Sequence, residues 1–180
     1  KNQIFAHQLS YWQQRLADAP PLLTLPTDFQ RPSRPSYQGG SLQFTWNKKL
    51  SAAFKDLAKK SDVTPFMLGL GLFQILLSRY SLQTDISVGV PVANRRLAEF
   101  DEMQGLFVNT LVLRMDLSVN DSLEFFLHQL KGHCLDAFAN QDLPFEKLVE
   151  AINPERNLSY HPLFQVMFVM QEQALDEIGL

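Results

Sequence analysis

The 180-residue chain has a single cysteine, Cys134. No internal disulfide can form, and so low a thiol count fits a reducing cytoplasm. The longest apolar stretch, residues 65–77, carries two glycines and Gln74 and is too short to span a bilayer. The first ten residues lack the apolar run and small-residue cleavage site of a signal peptide. Positive charge is also short. Sixteen Lys plus Arg stand against 19 Asp plus Glu, a net charge of −3, whereas nucleic-acid binding needs a concentrated positive field. There is no Gly-rich phosphate loop, no G-x-S-x-G elbow and no cysteine pair for a metal. What is present is apolar bulk. Hydrophobic residues make up 46%, with 14 Phe, enough for a large packed interior. At about 150 residues per domain, the length is that of one domain.

The patterning alternates between helices and strands. Leu9, Trp12, Gln13 and Leu16 follow helical spacing, so residues 4–17 read as an amphipathic helix. Half of the ten prolines (Pro20, Pro21, Pro26, Pro32, Pro35) then fall within residues 18–40. They fix φ and remove donors, which makes this an extended connecting segment. Leu42, Phe44 and Trp46 alternate with polar residues, predicting a half-buried strand over 41–47. Leu50, Phe54, Leu57 and Ala58 mark the apolar face of a helix whose other face carries Lys48, Lys49, Lys55, Lys59 and Lys60. That lysine run is either a solvated face or an acidic partner's site. Thr64-Pro65 starts a helix to about Tyr80 that is apolar nearly all round, hence buried. Strands follow over 86–92 and 106–116, separated by a loop holding Glu99, Asp101 and Glu102. Asp121, answered by Glu124, is the expected cap of a long helix striped by Leu123, Phe126, Leu127, Leu130, Cys134, Ala137 and Phe138. A short helix over 144–152, a polar loop over 153–161 and a strand over 163–171 close the pattern. The class is α/β, a mixed sheet covered by helices.

Few residues look chemical. His7 and His161 are isolated, and His128 and His133 project from different parts of one helix, so no metal site is expected. Cys134 neighbours His133, but adjacent helical residues diverge by about 100°, so the thiol reads as core. Asn109 is the exception. It is the one polar group on the strand face Phe107, Asn109, Leu111, Leu113, Met115. An unpartnered buried amide costs about 1–3 kcal/mol, so Asn109 is either paired internally or lines a cavity.

Three segments resemble, in order, the motifs of condensation domains of nonribosomal peptide synthetases. Residues 103–110, Met-Gln-Gly-Leu-Phe-Val-Asn-Thr, are similar to G-x-F-V-N-T. Residues 140–146, Asn-Gln-Asp-Leu-Pro-Phe-Glu, are similar to (H/N)-Q-D-x-P-F-E. Residues 154–165 are similar to R-(D/N)-x-S-x-x-P-L-F-Q. Tyr11-Trp12, the run Leu25-Pro26-Thr27-Asp28 and the run from Gly89 to Arg95 also resemble the family.

The resemblance implies a chloramphenicol-acetyltransferase-like fold and amide bond formation between thioesters carried on the 4'-phosphopantetheine of carrier proteins. No cofactor bound directly to this chain is implied. Carrier proteins and adjacent synthetase domains are the implied partners; nucleic acid and membrane are not. The family's H-H-x-x-x-D-G motif has no counterpart, since no two histidines are adjacent. The chain therefore resembles most of a C-terminal lobe, with the N-terminal lobe missing. It would supply a cleft wall and no catalytic residue. Carried over by motif, Gly105, Phe107, Asn109, Thr110, Gln141 and Gln165 are the expected cleft residues, with Asn109 aimed at substrate or oxyanion. Gly105 serves close backbone approach or a bend. Pro144 and Glu146 either face the site or initiate a helix. Phe145, Arg156 and Pro162 are expected to be structural, and His161 has no catalytic role. A non-catalytic lobe that binds carriers, or an ester-forming relative, is the alternative.

Overall fold

A computed structural model describes residues 2–34, 36–95, 103–105, 107–118, 122–152 and 159–171. The element order is α1 (Asn2–Leu16), α2 (Lys48–Lys60), α3 (Pro65–Ser81), β1 (Asp85–Val92), β2 (Asn109–Asp116), α4 (Leu123–Ala139) and α5 (Phe145–Ile152). Local chemistry sets the helix starts. The Thr64 side chain accepts from the Met67 N–H, with Pro65 in the first turn of α3. Asn47 does the same for α2 through the Leu50 N–H. The α4 cap is Ser122, accepting from the Phe125 N–H. This corrects the expectation of Asp121, which itself lies outside the described residues.

β1 and β2 pair antiparallel, from Asp85 opposite Asp116 to Val92 opposite Asn109. A third segment lies along β1 in parallel. The Gly89 N–H donates to Val166 O (3.0 Å), and the Phe168 N–H donates to Gly89 O (2.9 Å). Residues 163–171 are thus held by a single bridge at Gly89 and Met167, where the alternation predicts a full strand. The predicted strand over 41–47 is absent altogether. Leu42 and Phe44 stand exposed, and only Trp46 finds a neighbour, its ring 5.3 Å from that of Phe54. Alternation marks a chain that could be half-buried, but a strand also needs a ladder partner, and none lies beside it among the described residues.

The core lies between the hairpin and the pair α3/α4. Leu68, Leu70, Ile86, Val88, Leu111, Met115, Leu127 and Leu130 are all essentially inaccessible. Gly71 lets the two helices approach. A Cβ there would fall 2.8 Å from Leu130 Cδ2 and 2.9 Å from Phe126 Cε1. Cys134 is buried, and burial pushes its thiol up to about 12, as a core thiol requires.

Two polar latches seat α1. At its middle, the buried Trp12 indole N–H donates to Asn140 O (2.9 Å). At its end, Arg114 grips Asp85 with three bonds (2.9, 3.1 and 2.6 Å) and donates to Ala17 O (2.5 Å), while Arg15 donates back to Arg114 O (2.6 Å). The Asp85 carboxylate holds the Arg114 guanidinium above its ordinary value.

Arg15 also donates to His133 Nδ1, which requires the imidazole to be neutral. Burial first, and the Arg15 charge second, lower the His133 pKa. The unfolded chain therefore takes up this proton first as pH falls. The stabilisation is fully present above about pH 6.5, the ordinary imidazole value, and is lost as pH drops below it. His161 shifts in the same direction by burial. The urea midpoint is expected to fall between neutral and mildly acidic pH, and His133→Gln is expected to make that fall shallower. An identical pH slope in the variant would refute the role of His133.

Candidate functional site

The three motif segments are scattered over some sixty residues of sequence, yet they meet at one end of the hairpin. Asn109 opens β2 opposite Val92, the last residue of β1. Its side chain is 9% exposed. Nδ2 donates to Gln141 O and Leu143 O, both at 2.8 Å. Oδ1 accepts from the Phe145 N–H at 3.0 Å. One amide thus binds the first motif to the second, and both of its donor hydrogens are used. Of the two sequence alternatives, internal pairing is what the structure contains, and the two N–H groups, bonded to main-chain carbonyls, are not free for an oxyanion. Asn109 is a positioning residue for the turn before α5.

That turn is held from the other side too. Gln8 Nε2 donates to Asp142 Oδ2 (3.0 Å), and Gln141 Nε2 donates to Phe138 O (2.7 Å). Pro144 directly precedes α5, its carbonyl accepting from Lys147 and Leu148 N–H. Glu146 lies exposed in the first turn. Both positions suit helix initiation, the proline fixing φ and the carboxylate favoured by the helix dipole.

The third motif joins through rings. Phe145 stacks on His161 (5.4 Å) and tilts against Phe164 (5.8 Å), and His161 stacks on Phe164 (4.3 Å). These neighbours desolvate the imidazole and lower its pKa. Gln165 is a clasp. Its Oε1 accepts from the Leu23 N–H (2.7 Å), and its Nε2 donates to Pro21 O (3.2 Å) and His161 O (2.8 Å). It fastens the Pro-rich segment to the motif. Pro162 sits half-buried in the bend between His161 and Gln165. Arg156 lies outside the described residues.

In the first motif, Gly105 is exposed in a bend with ordinary negative φ, so no left-handed conformation demands glycine there. A Cβ would lie 3.2 Å from the Phe107 ring. Phe107 is half-buried under the Arg95 guanidinium, 4.4 Å from its centroid. Thr110 is half-buried opposite Pro91, which has no N–H to give the ladder. Sequence reasoning missed Arg95 on Phe107 and the Asp85–Arg114–Arg15 latch. Only strand register could have signalled the latter: Arg114 stands opposite Ser87, two residues from Asp85.

Among the described residues no cluster of three or more His, Cys, Asp or Glu could hold a metal. No single helix among them is long and apolar enough to cross a membrane.

The condensation-domain family model matches residues 1–178. The chain belongs to the condensation-domain family. A linear gramicidin synthase of Brevibacillus parabrevis is 48% identical over 98% of this chain and 4% of its own length. The dimodular nonribosomal peptide synthase of Bacillus subtilis is 39% identical over 99% of this chain and 8% of its own. This condensation-domain chain therefore spans a small part of the curated relatives it matches. A four-domain nonribosomal peptide synthetase bound to AMP and glycine superposes with a TM-score of 0.87 at 31% identity, covering 89% of this chain and 12% of that one. The X-domain of teicoplanin biosynthesis superposes at 0.85 and 26% identity, covering 91% and 36%. The fold is the chloramphenicol-acetyltransferase-like α/β fold of condensation domains.

Proposed function

We propose that this chain is the C-terminal cleft wall of a condensation domain that forms amide bonds between carrier-bound thioesters. In that reaction the acceptor amine attacks the donor thioester carbonyl. The tetrahedral oxyanion collapses, the C–S bond breaks, the C–N bond remains, and the proton from nitrogen passes through a general base to the departing thiolate, which leaves as the carrier thiol. The observation carrying this reading is that the Asn109 amide binds the first motif to the second while the Phe145 ring joins the second to the third. Such a junction fixes the main chain of residues 141–145 against β2, which is what a wall needs for orienting two long pantetheine arms. Gly105, Phe107 and Thr110 border the same end of the hairpin and are the proposed contact residues. No proton-transfer role is assigned to His161, whose ring packs against Phe145 and Phe164.

The test is a single-turnover assay of the whole condensation domain containing this chain, with donor and acceptor carriers loaded. Transfer of the donor to the acceptor carrier as an amide is the expected result. Loaded carriers that stay unchanged would overturn the reading. A second reading is a protein-docking module without chemistry. Its support is the X-domain, which superposes well and whose complex with OxyB is among the similar structures. Binding of a partner without turnover would select it.

A further inference from the structure

A polar cavity of about 550 Å³ lies at the other end of the hairpin from the Asn109 junction. Strands of eight residues put the two ends about 23 Å apart. Helical spacing builds the cavity walls. Tyr11, Gln14 and Arg15 come from one face of α1, at i, i+3 and i+4, and Gln129 and His133 from one face of α4, at i and i+4. Asp85, Arg114 and Asp116 of the two strands supply the rest. No aliphatic side chain lines it, so it suits a polar ligand.

Charge singles out Arg15. Arg114 is neutralised by Asp85, and Asp116 accepts from the Ser118 N–H. Arg15 spends its Nη2 on Arg114 O and His133 Nδ1, both uncharged acceptors. Among the described residues no carboxylate lies within ion-pair distance of it, and its Nε and Nη1 donors have no acceptor. Burial lowers the Arg15 pKa, the direction that a bound anion reverses. The side chains of Tyr11, Gln14 and Gln129 likewise make no hydrogen bond among the described residues. One half-buried cation and three neutral hydrogen-bonding groups thus converge unspent on one space. The lining sets two guanidinium groups against two carboxylates, so its summed charge attracts no multiply charged ligand, and Arg15 alone is open to a single negative charge.

We propose that this cavity binds a small polar monocarboxylate, its carboxylate held by the remaining N–H groups of Arg15 and its polar remainder by the Tyr11 hydroxyl and the Gln14 and Gln129 amides. The experiment titrates glycolate into the whole condensation domain and follows the Arg15 Nε–H resonance by NMR. Glycolamide, of the same shape without the charge, is the control at matched ionic strength. The expected result is a saturable shift, half complete at roughly 1–10 mM, and none with glycolamide. Replacing Arg15 would also break the latch to Arg114, so the deciding variant is Gln129→Glu. It removes no hydrogen bond of the fold and places a carboxylate inside the cavity. Half-saturation should rise by about tenfold or more, because the new carboxylate competes for Arg15. Tyr11→Phe, which loses one hydroxyl, should raise it about threefold. A shift linear in glycolate, an equal shift with glycolamide, or a half-saturation unchanged by Gln129→Glu each overturns the proposal. The titration reads binding alone and does not depend on the condensation reading.

Discussion

Asn109→Ala is expected to lower the unfolding free energy by about 3–5 kcal/mol. The substitution removes three hydrogen bonds at once. It leaves the carbonyls of Gln141 and Leu143 and the N–H of Phe145 without partners at a position only 9% exposed. Each orphaned buried group costs about 1–3 kcal/mol, and relaxation of the turn recovers part of the sum. Against a typical total of about 5–15 kcal/mol, this is a large fraction. Chemical denaturation measures it directly. Asn109→Asp separates the donors from the acceptor. The carboxylate can still accept from Phe145, but it confronts two carbonyl oxygens, so its pKa in the folded state is raised. Such a group stabilises at low pH and loses that contribution as pH rises through the folded value. The aspartate variant should therefore gain stability relative to wild type on mild acidification. No relative gain would mean that the two carbonyl contacts do not matter.

How much of this is legible in the sequence depends on how local the cause is. Thr64-Pro65 carries its own start signal, so the beginning of α3 is found to the residue. The stripe Phe126, Leu130, Ala137 announces α4 for the same reason: helical periodicity is contained in the element. The segment 41–47 shows the limit. Its alternation is as clean as that of β1, yet β1 has Asn109–Asp116 beside it and 41–47 has no such neighbour among the described residues. Strand formation depends on a partner elsewhere in the chain, and single-sequence alternation says nothing about that partner. The site behaves likewise. That Asn109 must be paired or cavity-lining follows from one amide on an apolar face. Which of the two holds depends on main-chain atoms more than thirty residues away. The clasp made by Gln165 is not legible in the sequence because its three partners lie in the Pro-rich segment and at His161, which no periodicity connects to it.

Gly89 carries the other large prediction. It lies in mid-strand, where glycine ordinarily weakens a sheet, and its φ is ordinary. Space is the reason for it. A Cβ at 89 would stand 2.5–2.7 Å from three atoms of the Phe164 ring. The ring is not free to retreat, because it is 7% exposed and has His161 and Phe145 packed against it. Nor is the backbone, because Gly89 N–H and C=O bind Val166 and Phe168 on one side while its strand pairs with β2 on the other. Gly89→Ala must therefore break the parallel bridge or expel the ring, at a cost of about 3 kcal/mol or slightly more. Phe164→Ala alone should cost about 3–5 kcal/mol as a cavity in the same place. If overlap is the cause, the two do not add. The alanine Cβ occupies space that the missing ring has vacated, so the double variant should be about as stable as Phe164→Ala alone, a coupling of about 3 kcal/mol. Strict additivity in denaturant unfolding would show that Gly89 is needed for its backbone and not for the ring laid across it. The coupling also bears on function: the ring that excludes a side chain at 89 is the one through which the third motif reaches Phe145, so the parallel bridge and the converged motifs should be lost together.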